Sequence, residues 1–353
     1  MPITLNGDTG IQTPMYNGTI TANAVTPSVN MKNRIINGAM MIDQRNAGAS
    51  SSFGSTGAYN TVDRFQAYQN TSGTATLQQV VDAPAGFYNS LKVTITASAT
   101  PAAGELFQIQ QVIEGYNIAD FAFGTASARA ITLSFWVKSS LTGQFGGAVQ
   151  DGSAAYGYPF SYTISAANTW EQKSISITGA TAGSWGATTS AGLRLYLDLG
   201  CGSNFLGTAG AWVASSARGA TGDTKLISTN GATWFITGVQ LEVGSTATSF
   251  DYRPYGTELQ LCQRYYEKTV TNTGLIWTGD ATNGNNYYMS GLFFVLKRAT
   301  PTFTGTGTGG TGFSAGAPAD AGANAGEWNM GFTCNSTGAR RYFTAGFTAS
   351  AEL

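Results

Sequence analysis

The chain contains no histidine. That removes Ser-His-Asp and Cys-His nucleophilic catalysis, His-ligated zinc and histidine-based pH switching together. Its three cysteines, Cys201, Cys262 and Cys334, are odd in number and far apart. This spacing argues against a disulfide framework or a Cys-based zinc site and for small, mostly buried apolar side chains. Gly305, Gly307 and Gly310 formally complete a G-x-G-x-x-G, but no helical pattern follows and the match is accidental. There is no P-loop, EF-hand or G-x-S-x-G, and no cofactor is expected. The one chemistry left open is polysaccharide hydrolysis by two carboxylates. Asp and Glu total 19 and are mostly isolated. Asp63 and Asp198 lie in strand patterns near Arg64 and Arg194, and Glu242 precedes a turn; ion pairs and turn hydrogen bonds are the expected roles. The chain is read as a non-enzyme.

Aromatic residues offer a better lead. There are 16 Tyr and 7 Trp, and such amphipathic rings can stack on the C–H faces of sugars while amides and guanidinia pair with the hydroxyls. Trp136, Trp170 and Trp234 sit in strong strand patterns and are expected to pack the sheets. Trp277, Tyr287, Tyr288 and Trp328 lie near Gly/Asn-rich loops and are the candidate glycan-contacting residues. The competing role for these four is to fill a core between subunits.

The elements that must carry these residues are strands. Glycine numbers 46 in 353 residues, and charged residues are only 10%; many tight turns and a surface of Thr, Ser, Asn and Gln follow. Leu77, Gln79 and Val81 alternate, as do Leu91, Val93 and Ile95; Ile131, Leu133, Phe135 and Val137; and Leu193, Leu195, Leu197 and Leu199, with Arg194, Tyr196 and Asp198 opposite. Phe107, Ile109, Val112 and Ile113 share a face if a bulge follows Gln110. Phe235, Val239, Leu241 and Val243 are expected on one face. Then the period changes. Thr257-Glu258-Leu259-Gln260 reads as a capping box, and Leu259, Cys262 and Tyr266 as a helical stripe.

The predicted fold is mainly β: an extended N-terminal arm over 1–30, a jelly-roll sandwich over 31–255, a helical junction over 256–268 and a small C-terminal β domain over 269–353. Leu292, Phe294 and Leu296 alternate within that last piece, and Thr300–Gly326 reads as a long loop. Its thin core is expected to be stabilised by identical neighbours. The arm, with Ile3 and Leu5 before an Asn6-Gly7-Asp8 turn, cannot bury a core of its own and is expected to dock on a partner.

Net charge is −1 with no basic run, so nucleic acid is not an expected partner. No apolar run approaches the ~20 residues of a membrane span, and the N-terminus lacks the pattern of a secretory signal. A surface-like composition without that signal suits assembly into a particle released by lysis.

The segments NRIINGAMMIDQRNAG, YNTVDRF, ITLSFWVKSS, TWEQKSISIT, GVQLEVGSTATSFDYRPYGTELQLCQRYYEK and the terminal AEL together resemble tail-fibre and related receptor-binding virion proteins of tailed bacteriophages. The series ITLSFWVK, TWEQKSISIT and GVQLEVG is also similar to carbohydrate-binding jelly-roll modules. The resemblance implies a homotrimer made in the bacterial cytoplasm and carried on the virion. Its N-terminal arm would dock on other virion proteins, with Ile3, Leu5 and Ile11 as contacts. Leu259, Cys262 and Tyr266 would pack near a threefold axis, and the distal end would meet a bacterial surface polysaccharide or lipopolysaccharide. The alternatives are a head-fibre, decoration or baseplate protein with no receptor role, and a capsule or lipopolysaccharide depolymerase.

Overall fold

Among the described residues the strands are β1 (Thr4–Asn6), β2 (Gly10–Gln12), β3 (Ser51–Ser52), β4 (Gln66–Gln69), β5 (Thr74–Val80), β6 (Ser90–Ala97), β7 (Phe107–Glu114), β8 (Ile131–Ser139), β9 (Gly143–Asp151), β10 (Gly157–Ile164), β11 (Glu171–Ile177), β12 (Ala191–Asp198), β13 (Leu206–Gly207), β14 (Gly219–Ala220) and β15 (Thr233–Val243). Helix α1 (Tyr255–Gln263) follows, then β16 (Tyr266–Lys268), β17 (Leu275–Ala281), β18 (Asn286–Leu292), β19 (Thr302–Gly309), β20 (Ala319–Ala323), β21 (Glu327–Thr333) and β22 (Gly338–Ser350). This computed structural model describes residues 4–6, 10–12, 31–54, 57, 59–269, 275–309 and 319–353; for 4–6, 10–12, 275–278, 306–309, 319–322 and 339–345 it describes the backbone alone.

The predicted jelly roll is present. A five-stranded sheet in the order β10-β9-β12-β7-β4 faces a six-stranded sheet in the order β11-β8-β15-β6-β5-β3, and every pairing within the two is antiparallel. The strict alternations supply the core between them. Leu193, Leu195, Leu197 and Leu199 are buried from one sheet, and Leu91, Val93, Ile95, Ile131, Leu133, Phe135 and Val137 from the other. Trp234 is fully buried; Trp136 and Trp170 are half-buried.

Four sequence expectations fail for identifiable reasons. First, Phe235 does not share a face with Val239 and Leu241. Gly238 adopts φ 63°, and the pairing of β15 with β8 shifts between Thr237 and Gln240. This bulge adds one residue and moves the core-facing set from Trp234 and Ile236 to Val239 and Leu241. A Cβ at Gly238 would meet the Phe87 ring at 2.6 Å, so both space and φ demand glycine there. Second, β7 has no bulge after Gln110; its register with β12 runs unbroken from Gln108 to Ile113. Gln111 takes a core-facing position instead, bonding the Ile36 amide at 2.9 Å and the Ile36 carbonyl at 3.0 Å, so its burial leaves no orphan amide. Third, Val81 is exposed rather than aligned with buried Leu77. Fourth, TFTGTGTG is not loop. It forms β19, which pairs with β22 from Thr302↔Ser350 to Gly309↔Phe343. A backbone ladder needs no apolar periodicity.

The C-terminal module has two small sheets, one built on β22 with β16, β17 and β19, the other in the order β18-β21-β20. Phe293, Phe303, Trp328, Met330, Phe332 and Phe347 form its core.

Helix α1 joins the two modules, but its N-cap is Pro254 with no side-chain cap bond, and Thr257 lies inside the helix. The expected capping box is absent because the helix begins at Tyr255, which puts Thr257 past the N-cap position; Glu258, in the first turn, is engaged outside the helix. It accepts from the Asn37 amide at 2.5 Å and from Arg253 at 3.2 Å. The expected stripe also turns inward. Cys262 is buried with Ile36, Ile42 and Tyr265, and Leu259 packs against that cluster. Tyr266 lies beyond the helix on β16, with the Arg45 guanidinium 3.6 Å from its ring centroid. Cys262, fully buried, is therefore corrected as a trimer contact; Leu259 and Tyr266 make these contacts within the chain and stay half-buried.

Around them lies a polar hub. Arg64, buried, pairs with Glu352, donates to the Val112 carbonyl at 2.6 Å and sits 3.5 Å from the Tyr265 ring centroid. Arg45 bridges Asp63 at 3.1 Å and Glu352 at 3.0 Å. Asn37 bonds the Ile42 and Asp63 carbonyls, and Tyr59 donates to the Leu353 carbonyl. NRIINGAMMIDQRNAG, YNTVDRF, TELQLCQRYYEK and AEL thus converge on one junction between the modules.

Burial pushes Asp63 up to about 6 against the pull of Arg45, and burial likewise pushes Asp223 up to about 6. Each binds a proton more readily folded than unfolded. Their contribution to stability is greatest below about pH 4 and is lost as pH rises through about pH 6. In Asp82 and Glu171 burial is the largest single influence and raises both, but the hydrogen bonds and charge of Lys138 and Trp170 on the one, and of Lys173 and the Ser165 and Ala166 amides on the other, together outweigh it and lower them; these two act in the opposite sense and at more acid pH. We expect this pair to lower the melting temperature as pH rises from about 4 to about 6, and this slope to flatten in an Asp63→Asn/Asp223→Asn variant. An unchanged slope in the variant would refute the assignment.

Candidate functional site

The candidate site lies on the outward face of the five-stranded sheet. On β12 the residues opposite the core leucines are Arg194, Tyr196 and Asp198, and registration across the sheet turns them into rows. Gln66, Gln110, Tyr196, Ala148 and Pro159 form one row across β4, β7, β12, β9 and β10. Tyr68, Gln108, Asp198, Gly146 and Ser161 form the next. Val112, Arg194, Gln150 and Gly157 form a third.

The amides are wired together. Gln108 donates to Gln110 at 3.1 Å, Gln110 donates to Gln66, and Gln66 donates to the Gly57 carbonyl at 2.5 Å. Each primary amide has two N–H donors and this chain uses one. Gln66, Tyr68 and Gln110 are half-buried, so the ladder is fixed yet reachable by solvent.

The far half of the face is covered by residues 206–224, which include β13 and β14. Gln150 holds this strap through the Ala217 carbonyl at 2.6 Å, and Gln144 through the Thr221 carbonyl at 3.0 Å. Lys225 pairs with buried Asp198 at 3.1 Å. From the strap, Arg218 lies 3.9 Å over the Tyr196 ring and donates to Gln150 at 3.2 Å. Small side chains at Gly146 and Ala148 let the strap lie close, and a Cβ at Gly146 would collide with Asp223. The other end of the face is closed where Arg264 from the junction clasps buried Glu114 at 2.8 Å. What stays accessible is a patch of fixed amides, two guanidinia and the Tyr68 ring.

A separate cavity of about 260 Å³ is lined by Phe87, Tyr88, Phe250, Tyr252 and Tyr255. Its rings pack on one another, Phe87 to Phe250 at 5.1 Å and Phe250 to Tyr252 at 4.8 Å, while Tyr88, Tyr252 and Tyr255 stay exposed.

The sequence-predicted residues lie elsewhere. Trp328 is only 3% exposed, stacked 6.0 Å from Phe303; as a glycan contact it is corrected to core. Tyr287 is half-buried and stacks on Phe332. Tyr288 is 61% exposed. The side chain of Trp277 lies outside the described residues, as does Ile3; Leu5 and Ile11 pair across the β1–β2 hairpin, and their side chains also lie outside. Sequence reasoning placed Arg194 and Tyr196 outward but missed their partners. The signal was there in the polar residues at alternate positions of β7, Gln108 and Gln110.

No protein-family model matches this chain, and no curated protein matches it. Among solved structures, the chain is similar to the enzymatically active domain of tailspike protein 4 from bacteriophage CBA120, at 14% identity and TM-score 0.32, over 60% of this chain and 22% of that one. A CBM4 structure matches at 13% identity and TM-score 0.30, over 59% of this chain and 98% of that one. The family 11 carbohydrate-binding module of a Clostridium thermocellum cellulosomal cellulase matches at 11% identity and TM-score 0.28, over 57% of this chain and 99% of that one.

Proposed function

We propose that this chain is a structural virion protein of a tailed phage: a trimeric, non-enzymatic tail fibre that attaches to bacterial surface polysaccharide or lipopolysaccharide. The outward face of the five-stranded sheet is the attachment site, and the N-terminal arm is the segment that docks on other virion proteins. The observation that carries the reading is the half-open amide ladder beside Tyr68. Preset amides match sugar hydroxyls, and the Tyr68 ring offers a stacking surface. The carboxylates on this face suit binding rather than hydrolysis. Asp198 is held by Lys225, and Asp223 by the Ala220 amide and Gln144. The sequence blocks that resemble phage fibres support the same reading.

The test is binding of the labelled protein to a panel of bacterial cells, competed with their extracted polysaccharides. A Tyr68→Ala/Gln110→Ala variant is expected to lose about tenfold or more in affinity per site, and more on cells, where three linked sites act together. Tyr252→Ala, at the separate aromatic cavity, should bind as the parent does. Loss in Tyr252→Ala with retention in the Tyr68 variant would move the site to that cavity.

A further inference from the structure

Arg194 and Arg218 stand apart from the other internal guanidinia. Arg34, Arg45, Arg64, Arg253 and Arg264 each meet a carboxylate within 4 Å. Arg298 is taken up by the carbonyls of Ala351, Glu352 and Thr189. Arg194 and Arg218 are half-buried and form no ion pair among the described residues. Arg194 donates only its Nε, to the Gly152 carbonyl at 3.2 Å. Arg218 spends one N–H on Gln150, and its buried Nε has no partner.

The two converge. Arg194 is the register neighbour of Gln150, and Gln150 accepts from Arg218. Tyr196, two residues along the same strand face, supports the Arg218 guanidinium from below. Nearby carboxylates are already committed. Asp151 accepts from Ser153 at 2.9 Å, Ala155 at 3.1 Å and Ser184 at 2.8 Å. Asp198 accepts from Lys225 and from the Gly200 and Cys201 amides. A half-buried cation costs solvation free energy unless an anion meets it, and a planar guanidinium presents the paired donors that carboxylate and phosphate take.

We infer that the saccharide bound by this face is acidic, with its carboxylate or phosphate held between Arg194 and Arg218 and the neighbouring sugar over the amide ladder and Tyr68. This rests on the glycan-binding reading above. A neutral glycan needs the amides and the ring but leaves both guanidinia without counter-charge. Burial lowers the proton affinity of both side chains, Arg218 to about 10 with Arg194 as the second cause; both remain cationic at neutral pH.

The test uses the full chain and a printed panel of bacterial oligosaccharides. Uronate-, nonulosonate- and phosphate-bearing members stand beside their carboxyl-reduced or dephosphorylated counterparts. The acidic member should bind about tenfold or more tightly than its neutral counterpart, and less tightly as salt rises. Arg194→Gln and Arg218→Gln should each abolish that preference, and Arg194→Lys should keep part of it. Which arm responds, carboxylate or phosphate, identifies the anion. Arg194→Gln removes a single carbonyl contact, so it provides a folded variant if Arg218→Gln is destabilised by losing its stack on Tyr196. Equal binding of neutral and acidic members, kept in both arginine variants and lost in Tyr68→Ala, overturns the acidic assignment while leaving the glycan site. Failure of the parent protein to bind any member overturns both.

Discussion

Glu352→Ala is expected to destabilise the protein by about 3–5 kcal/mol, although the residue is next to the end of the chain. Truncation strands the Arg64 guanidinium, which is 1% exposed and pairs with Glu352. Its remaining contacts, the Val112 carbonyl and the Tyr265 ring, do not neutralise it. Arg45 keeps Asp63, so the loss concentrates on Arg64. A frayed terminus would make the change nearly silent, but this terminus is pinned. Arg298 donates to the Ala351 and Glu352 carbonyls, Tyr59 to the Leu353 carbonyl, and the Leu353 side chain packs on the Ile42 and Cys262 cluster. Urea denaturation checks the prediction; a loss below about 1 kcal/mol is what a solvated surface pair gives and would refute it. The companion variant Arg64→Met/Glu352→Met should recover much of the loss, because an apolar pair avoids the stranded charge.

That junction also shows what the sequence disclosed and what it hid. The change of period near Gly238 is legible, since Val239 and Leu241 alternate and α1 follows. The bulge at Gly238 is not. Glycine is common in this chain, and only the proximity of Phe87 and the positive φ single this one out. The stripe Leu259/Cys262 is visible as apolar spacing, but spacing cannot tell an intramolecular partner from a second copy. Ile36 and Ile42 lie more than two hundred residues away in sequence.

The candidate site follows the same rule. Leu193 to Leu199 revealed β12 and placed Arg194 and Tyr196 outward. Their neighbours Gln66, Tyr68 and Gln110 come from strands whose order depends on long-range pairing. Arg218 comes from a strap with no periodicity at all. Trp328 misled because a tryptophan near a glycine-rich turn can still face inward.

Substituting lysine for both Leu292 and Phe294 is expected to convert the proposed trimer into monomers. The alternation Leu292, Phe294, Leu296 reads as a core face, yet these residues point out, at 77%, 76% and 63% exposure, while Phe293 and Lys297 point in. Lys297 is fully buried, pairing with Glu267 and donating to the Gln263 carbonyl at 2.6 Å. The inward positions are thus occupied, and the apolar side chains cannot be rescued by turning the segment over. Tyr288 is exposed on the same strand face as Leu292. Covering each Leu or Phe side chain contributes about 1.5–3 kcal/mol. Three such residues per protomer supply a substantial part of an association free energy, and a lysine placed among them adds the cost of burying its charge. Light scattering of the parent and variant decides the matter: a monomeric parent, or a variant that stays trimeric, sinks the assignment. The variant should keep its melting temperature where the row contributes to association alone. It should also bind cells more weakly than the parent by well over tenfold while each isolated glycan site keeps its affinity, because linkage of three sites is lost without loss of any sugar contact.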